Sequence, residues 1–386
     1  MKKLGYPVFV ALITFGLAEA TLRLLTERKQ HIDFLFGKKS YFLPPFQVPE
    51  KIAEADTSVW YKYNVYDSNL GWSIGKLGAQ PPYYSDRYGF RCSHQQYETL
   101  IRGDLTNNND DEEYDIVCLG NSFTHGDEVS FEDTWPYRLQ QLTGLRTLNL
   151  GVGGYGIDQA FLRYEQVKPK SKLVILGMVA GDLDRACTQV YNLTAGGLKT
   201  KPLFAFKDAM IEVMNRPTLH GELLRNEFEN PATSEFLMRE RLWPGLFVHD
   251  VFDNLYVVRT LRAFPIWSKH RKSVYRQNDG DMQYCISILK YIQQQVSQQD
   301  SRFVVLLLDN LNTFLDWDRD GNPWLLFRSE LEKQGIEYWH YDDLLYKQFK
   351  SNREEVINKG LVHYTPEANS QVAEFIKDIL IQEDDI

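Results

Sequence analysis

From residue 114 onward, short apolar runs alternate with longer stretches of helical spacing, and this alternation limits the fold more than any other feature. The runs "DIVCLG" (115–120), "RTLNLG" (146–151), "SKLVILGMV" (171–179), "RFVVLLLD" (302–309) and "IEYWHY" (336–341) read as strands. Residues 131–144, 156–167, 282–299, 323–335 and 365–380 read as helices, the last capped by Thr365 with Pro366 in its first turn. The run at 171–179 is too apolar for a half-wet edge, so it belongs in a sheet covered on both faces. The pattern predicts an α/β fold with a mostly parallel sheet between helices. In such folds ligands bind beyond the carboxyl ends of the strands. "GNS" (120–122), "GVGGYG" (151–156), "AGDLD" (180–184) and Asp309 all fall there.

The remaining chain divides around this core. Residues 1–26 form a signal segment and 27–110 an N-terminal extension expected to pack on the core. Residues 111–386 form the main domain, interrupted at about 190–278 by an insertion. The extension is punctuated by Pro44, Pro45, Pro49, Pro81 and Pro82. "YYSDRYGFRC" (83–92) reads there as strand-turn-strand, and "NNNDDEE" (107–113) as a polar boundary. The insertion, with Trp243, Phe247, Tyr256 and Trp267, is expected to be helical and to cover one end of the sheet. No internal repeats are present.

"MKK" precedes an apolar run at 6–18, which alone is too short for a hydrocarbon core of ~30 Å at ~1.5 Å per residue. "AEA" (18–20) matches a small-x-small cleavage site. Alternatively the helix continues to Leu25, with Glu19 near an interface and Arg23 snorkelling, as an uncleaved anchor with its basic end inside. A buried amphipathic helix of a cytosolic protein is the third reading. The expectation is a single N-terminal membrane anchor with the domain outside the cytoplasm, or a secreted or periplasmic protein if cleaved.

With 386 residues, 43% of them hydrophobic, the chain can bury a large core. Its net charge of -9 argues against nucleic acid as a partner. Cys92, Cys118, Cys187 and Cys285 are widely spaced, without a CxxC or a Cys/His cluster. Asp115, Asp127 and Glu128 have no metal-ligand spacing either. Neither a metal nor a cofactor is expected.

Ser122 directly follows the first strand. As a nucleophile it would meet free backbone N–H groups at the start of the next helical turn; as a capping serine it would only satisfy them. "NLGVGGYG" (149–156) brings backbone close to a ligand. It lacks the lysine of a phosphate loop and the acid of a dinucleotide site, so a backbone oxyanion donor suits it better. His363, just before the last helix, is a candidate base at the same end of the sheet, or a surface histidine. His125, close to Ser122, reads as a solvated loop histidine, with a second base or a substrate contact as the alternatives.

These blocks, in this order and spacing, resemble the SGNH (GDSL-like) hydrolases from about Tyr114 to the C-terminus, apart from the insertion. The resemblance implies a flavodoxin-like, three-layer α/β/α fold. "GNSF" is similar to the block carrying the nucleophile, which maps to Ser122. "NLGVGGYG" is similar to the block whose glycine N–H lines the oxyanion hole, which maps to Gly154. "AGDLD" stands where the family has asparagine followed by aspartate, and "HYTPEAN" resembles the block of the base, which maps to His363. "YYSDRYGFR" and "DEVSFEDTWPYRL" resemble a membrane-anchored or exported subgroup. Two positions depart from the pattern. Gly181 replaces the oxyanion asparagine and has no side-chain amide to offer, while Asp182 beside it would repel an oxyanion. Gly360 replaces the aspartate three residues before the histidine, so another acid, such as Glu354, Glu355 or Asp309, has to support the imidazole.

The resemblance implies a serine esterase acting on an acylated small molecule, glycan or lipid through Ser122 and His363. The oxyanion would be held by the N–H groups of Ser122 and Gly154, with Gly181 able to add only backbone. The alternatives are a non-catalytic binding protein that keeps the pocket and an O-acyltransferase acting on glycans.

Overall fold

The computed structural model describes residues 5–29, 32–37, 63–103, 113–191, 198–207, 210–241, 245, 248–271 and 273–383. Pro44, Pro45, Pro49, Trp243, Phe247, the side chain of Trp267 and nearly all of the loop at 107–113 lie outside the described residues. The chain forms two compact units.

The larger unit comprises Val59–Gln189, Lys201–Thr218 and Ser273–Ile386. Its centre is a five-stranded sheet, with β1 at Tyr114–Gly120, β2 at Thr147–Asn149, β3 at Ser171–Met178, β4 at Arg302–Leu307 and β5 at Tyr338–Trp339. The spatial order is 2-1-3-4-5 and every pairing is parallel. This is the flavodoxin-like order, which turns back between β1 and β3. The period-two alternation of each strand sorts the core into two layers. Ile116, Cys118, Leu173, Ile175, Val304 and Leu306 share a core with Trp135, Leu139 and the inner face of the C-terminal helix, Ala368, Val372, Ala373 and Ile376. The intervening residues, Val117, Leu119, Val174, Leu176, Val305 and Leu307, are equally buried on the opposite face. Helices Ile157–Val167 and Gly280–Ser297 contact those strands. Burial on both faces is why β1, β3 and β4 read as continuous apolar runs.

Element bounds shift where local chemistry acts. The stretch at 131–144 splits into a 3-10 turn, Phe131–Asp133, and a helix, Trp135–Thr143. Thr134 stays extended between them as an N-cap, and Pro136 occupies the first turn. Gly144, at φ +73°, ends the helix. Tyr83–Ser85 and Arg91–Cys92 pair antiparallel, as the strand-turn-strand pattern indicates. The insertion is not purely helical. The runs Leu203–Lys207 and Met210–Met214 make an antiparallel hairpin that belongs to the larger unit.

The smaller unit comprises Met1–Ser58, Val190–Thr200 and Leu219–Lys272. It contains an unbroken apolar helix, Gly5–Leu25, the hairpin Thr26–Lys29/Ile32–Leu35 and the helix Tyr256–Arg271. Residues Tyr6–Leu25 are long and apolar enough to cross a membrane, and none of the segment is fully buried.

Candidate active site

β1 ends at Gly120, and the chain turns at once into a single helical turn, Ser122–His125. Gly120 has φ +150°. A Cβ there would lie 2.2 Å from the Gly177 carbonyl oxygen and 2.3 Å from Thr124 Oγ1, so only glycine lets β1 turn this close to β3. Asn121, not Ser122, is the cap: its Oδ1 accepts from the Phe123 N–H at 2.7 Å. The Ser122 hydroxyl is thus not the capping group, and it meets His363 instead. His363 Nε2 lies 2.8 Å from Ser122 Oγ.

The imidazole is held from its other side. His363 Nδ1 lies 2.7 Å from Glu128 Oε1, and the His363 backbone N–H donates to Glu128 Oε2 at 3.1 Å. A carboxylate that accepts both from the ring and from the backbone of one residue fixes the position and the tautomer of that ring. Glu128 is therefore the acid that sequence reasoning left without an owner. The three acids considered for this place are elsewhere. Glu354 pairs with Lys359, Glu355 accepts from Gln348 and Asn352, and Asp309 Oδ1 accepts from buried Trp324 Nε1 at 2.8 Å. Gly360 sits in a non-helical turn at φ +72°, so an i, i+3 helical relation to His363 does not exist. The loop is instead closed by the Ile357–Tyr364 bridge and by the Asn358 N–H on the His363 carbonyl at 3.0 Å.

Glu128 reaches the histidine from a left-handed backbone conformation, φ +71°, that a residue with a Cβ adopts at a cost of about 1 kcal/mol or more. The N-terminal extension holds it there. The Glu128 N–H donates to Tyr83 Oη at 2.7 Å. Buried Arg91 donates to the carbonyls of His125, Gly126 and Val129, the last at 2.6 Å. His125 is not a solvated loop residue: only 3% exposed, it lies 2.7 Å from Tyr63 Oη through Nε2 and 2.5 Å from Asp127 Oδ1 through Nδ1. Burial pushes the Tyr63 phenol up, so it stays a donor to Nε2, which leaves Nδ1–H to donate to Asp127. Burial, with Arg91 nearby, pulls the His125 imidazolium down, keeping it neutral. Burial works against the Asp127 carboxylate, but the hydrogen bond from His125 and the nearby Arg91 charge hold it below its ordinary range.

The glycine loop after β2 lies against the serine turn. Asn149 Nδ2 donates to the Thr124 carbonyl at 2.8 Å, and the Val152 N–H donates to the Gly120 carbonyl at 3.1 Å. A Cβ on Gly151 would come within 2.3 Å of the His125 nitrogen. Gly154, buried at φ +81°, follows in this loop, whose Gly153 carbonyl is fixed by Trp72 Nε1 at 2.9 Å. Gly181 stands in the first turn of the helix Ala180–Ala186 after β3, and open space surrounds the position its Cβ would take. Asp182 is not aimed at the serine. Its Oδ2 accepts from Asn121 Nδ2 and from the Val179 N–H at 2.9 Å, and its Oδ1 accepts from Arg185 at 2.5 Å. Burial pushes its carboxyl up to about 6, and these donors keep it ionised at neutral pH. Asp182 thus positions Asn121, the cap of the serine turn. A separate cavity of about 530 Å³ opens beside the β2 edge, and neither Ser122, Glu128 nor His363 lines it. No group of three or more potential metal ligands occurs among the described residues.

No family model matches the chain, and no curated protein matches it. Among solved structures it is similar to a protein described as lipolytic, of the G-D-S-L family, from Desulfitobacterium hafniense (12% identity, 69% of this chain, 100% of that one, TM-score 0.36). It is also similar to a member of the lipolytic G-D-S-L family from Veillonella parvula (10%, 69% and 98%, TM-score 0.33). A third is an acetyl xylan esterase from Butyrivibrio proteoclasticus (8%, 70% and 64%, TM-score 0.31). With TM-scores this low, these likenesses are distant ones. The strand order 2-1-3-4-5 is that of a flavodoxin-like α/β/α fold, in which the serine turn, the glycine loop and the histidine loop follow one another in the order of the sequence blocks.

Proposed function

We propose that this protein is a serine esterase or acyl hydrolase in which Ser122, His363 and Glu128 form the catalytic triad. The observation that carries the reading is the continuous line from Ser122 Oγ through His363 to Glu128, with links of 2.8 and 2.7 Å. Each contact suits one step of acyl transfer. Ser122 Oγ attacks the acyl carbon while its proton passes to His363 Nε2. Glu128 stabilises the imidazolium and remains ionised. The N–H groups of Ser122 and Gly154 receive the oxyanion, with the Gly181 N–H as the third donor in place of an asparagine amide. The imidazolium then protonates the leaving alcohol, and a water, deprotonated by Nε2, releases the acid from the acyl-enzyme.

An acyl ester of a glycan or lipid outside the cytoplasm fits this chemistry, with the helix Gly5–Leu25 as a membrane anchor. Leu361 and Val362, beside His363, are 48% and 51% exposed and offer an apolar surface to an acyl group. The non-catalytic alternative is favoured by Gly181 alone, since Glu128 supplies the acid that Gly360 lacks. The purified full chain, offered O-acetylated glycans and glycerolipids, is expected to release free acid and alcohol. Ser122→Ala is expected to lose this activity while keeping its melting temperature. Release that persists in Ser122→Ala, or no turnover of any ester, would overturn the reading.

A further inference from the structure

We infer that the segment 251–264 of the smaller unit rests in the headgroup region of a lipid bilayer, as an in-plane element clamped to the membrane anchor. The inference rests on the anchor reading of Gly5–Leu25 and adds a second contact with lipid.

The clamp is built from residues that an apolar helix has no other reason to carry. Glu19 Oε1 and Oε2 accept from the Tyr256 and Val257 N–H groups at 3.0 and 2.9 Å, capping the helix Tyr256–Arg271 from outside. Arg23 donates to Glu19 at 2.7 Å and to the Asn254 carbonyl at 2.9 Å. Just beyond the anchor, buried Asp33 pairs with Arg259 at 2.6 Å. The carboxylate of Glu19 is therefore fully engaged by two N–H groups and a guanidinium, which makes its place near the end of an apolar span tolerable.

Geometry fixes the depth. Glu19 precedes Leu25 by six positions in the helix. At ~1.5 Å per residue, the first turn of the clamped helix meets the span about 9 Å inside its end. In-plane helices bury their apolar face about 5–10 Å into the boundary between headgroups and acyl chains. The segment presents what that layer requires. Val251, Phe252, Leu261 and Phe264 are 72%, 59%, 68% and 76% exposed, while Arg259 and Ala263 turn inward. Leu24, at the end of the span, is 86% exposed, and the contacts of Glu19 and Arg23 with residues 254–257 join the anchor directly to this segment. That continuity selects lipid as the occupant.

The four native cysteines are buried, so a thiol-reactive environment-sensitive fluorophore can be directed to an introduced cysteine. Full-length Phe264→Cys, Val251→Cys, Leu12→Cys and Lys347→Cys are labelled and reconstituted in vesicles of phosphatidylcholine and phosphatidylglycerol. Nitroxide lipids and aqueous iodide serve as quenchers. Probes at 251 and 264 are expected to emit blue-shifted light, to be quenched by a headgroup-proximal nitroxide and to be shielded from iodide, while the probe at 347 behaves as in water. Iodide-quenched, water-like emission at 251 and 264 with a lipid-quenched probe at 12 overturns this inference and leaves the anchor standing. A water-like probe at 12 overturns the anchor itself and this inference with it. Blue-shifted emission at 264 without nitroxide quenching identifies a protein surface as the occupant and overturns the lipid assignment.

Discussion

Glu128 holds a left-handed backbone conformation while its two carboxylate oxygens contact His363, at 2.7 and 3.1 Å. Strain of this kind persists where surrounding structure over-determines it, and here Tyr83 and Arg91 do so. Glu128→Gln keeps the shape of the side chain and removes the charge that stabilises the imidazolium. Its kcat/KM is expected to fall on the order of 10²–10⁴-fold, mostly in kcat, whereas Glu354→Gln and Glu355→Gln leave it unchanged. Steady-state kinetics on one ester decides between them. Gly181 offers the converse test. Open space at its Cβ position admits a side chain, so Gly181→Asn is expected to raise kcat by about tenfold or more by adding an oxyanion donor. An unchanged kcat would mean that the oxyanion lies elsewhere.

At the scale of elements, the turn after β1 is held by close contacts and by the N-terminal extension. Gly120→Ala drives a methyl group into the Gly177 carbonyl and is expected to cost about 3 kcal/mol or more, read by chemical denaturation. His125 carries a pH signature. Its folded value lies below its ordinary 6.5, so its contribution to stability is complete above 6.5 and is lost as pH falls through the lowered value. Tyr63, Arg91, Asp127 and Arg163 act on the same group. The fall in melting temperature between pH 7 and pH 5 is expected to be shallower in His125→Gln than in the wild type, as thermal melts across that range ("about pH 5–7") would record.

The same elements explain what could be read in advance. The strands β1, β3 and β4 were legible because burial on both faces makes them uniformly apolar. The placement of Ser122 and His363 at one end of the sheet was legible, because one directly follows a strand and the other precedes a capped helix. Glu128 was not, since a turn acid in "HGDEV" has no periodicity, and only the fold brings it to a histidine 235 residues away. The one signal for it was Gly360 in the place of an acid, which called for a substitute from elsewhere in the chain if His363 is to act as a base. Helices such as Leu311–Asp320 and Leu344–Ser351 escaped because an apolar period that runs for only two or three turns is too short to stand out.

For the whole molecule, Ser122, His363 and Glu128 all lie in the sheet-bearing unit and the apolar helix lies in the smaller one. The full chain is expected to stay with the membrane fraction after alkaline carbonate extraction, and release into the supernatant would remove the anchor. The central claim is that Ser122 is a nucleophile activated by His363 and Glu128. Its most direct test is reaction of the folded full chain with a fluorophosphonate probe, followed by peptide mass spectrometry. The expected result is one adduct on Ser122, absent from Ser122→Ala and formed on the order of 10²-fold or more slowly in His363→Ala. A folded wild-type protein that forms no adduct, or forms it at another residue, would contradict the account.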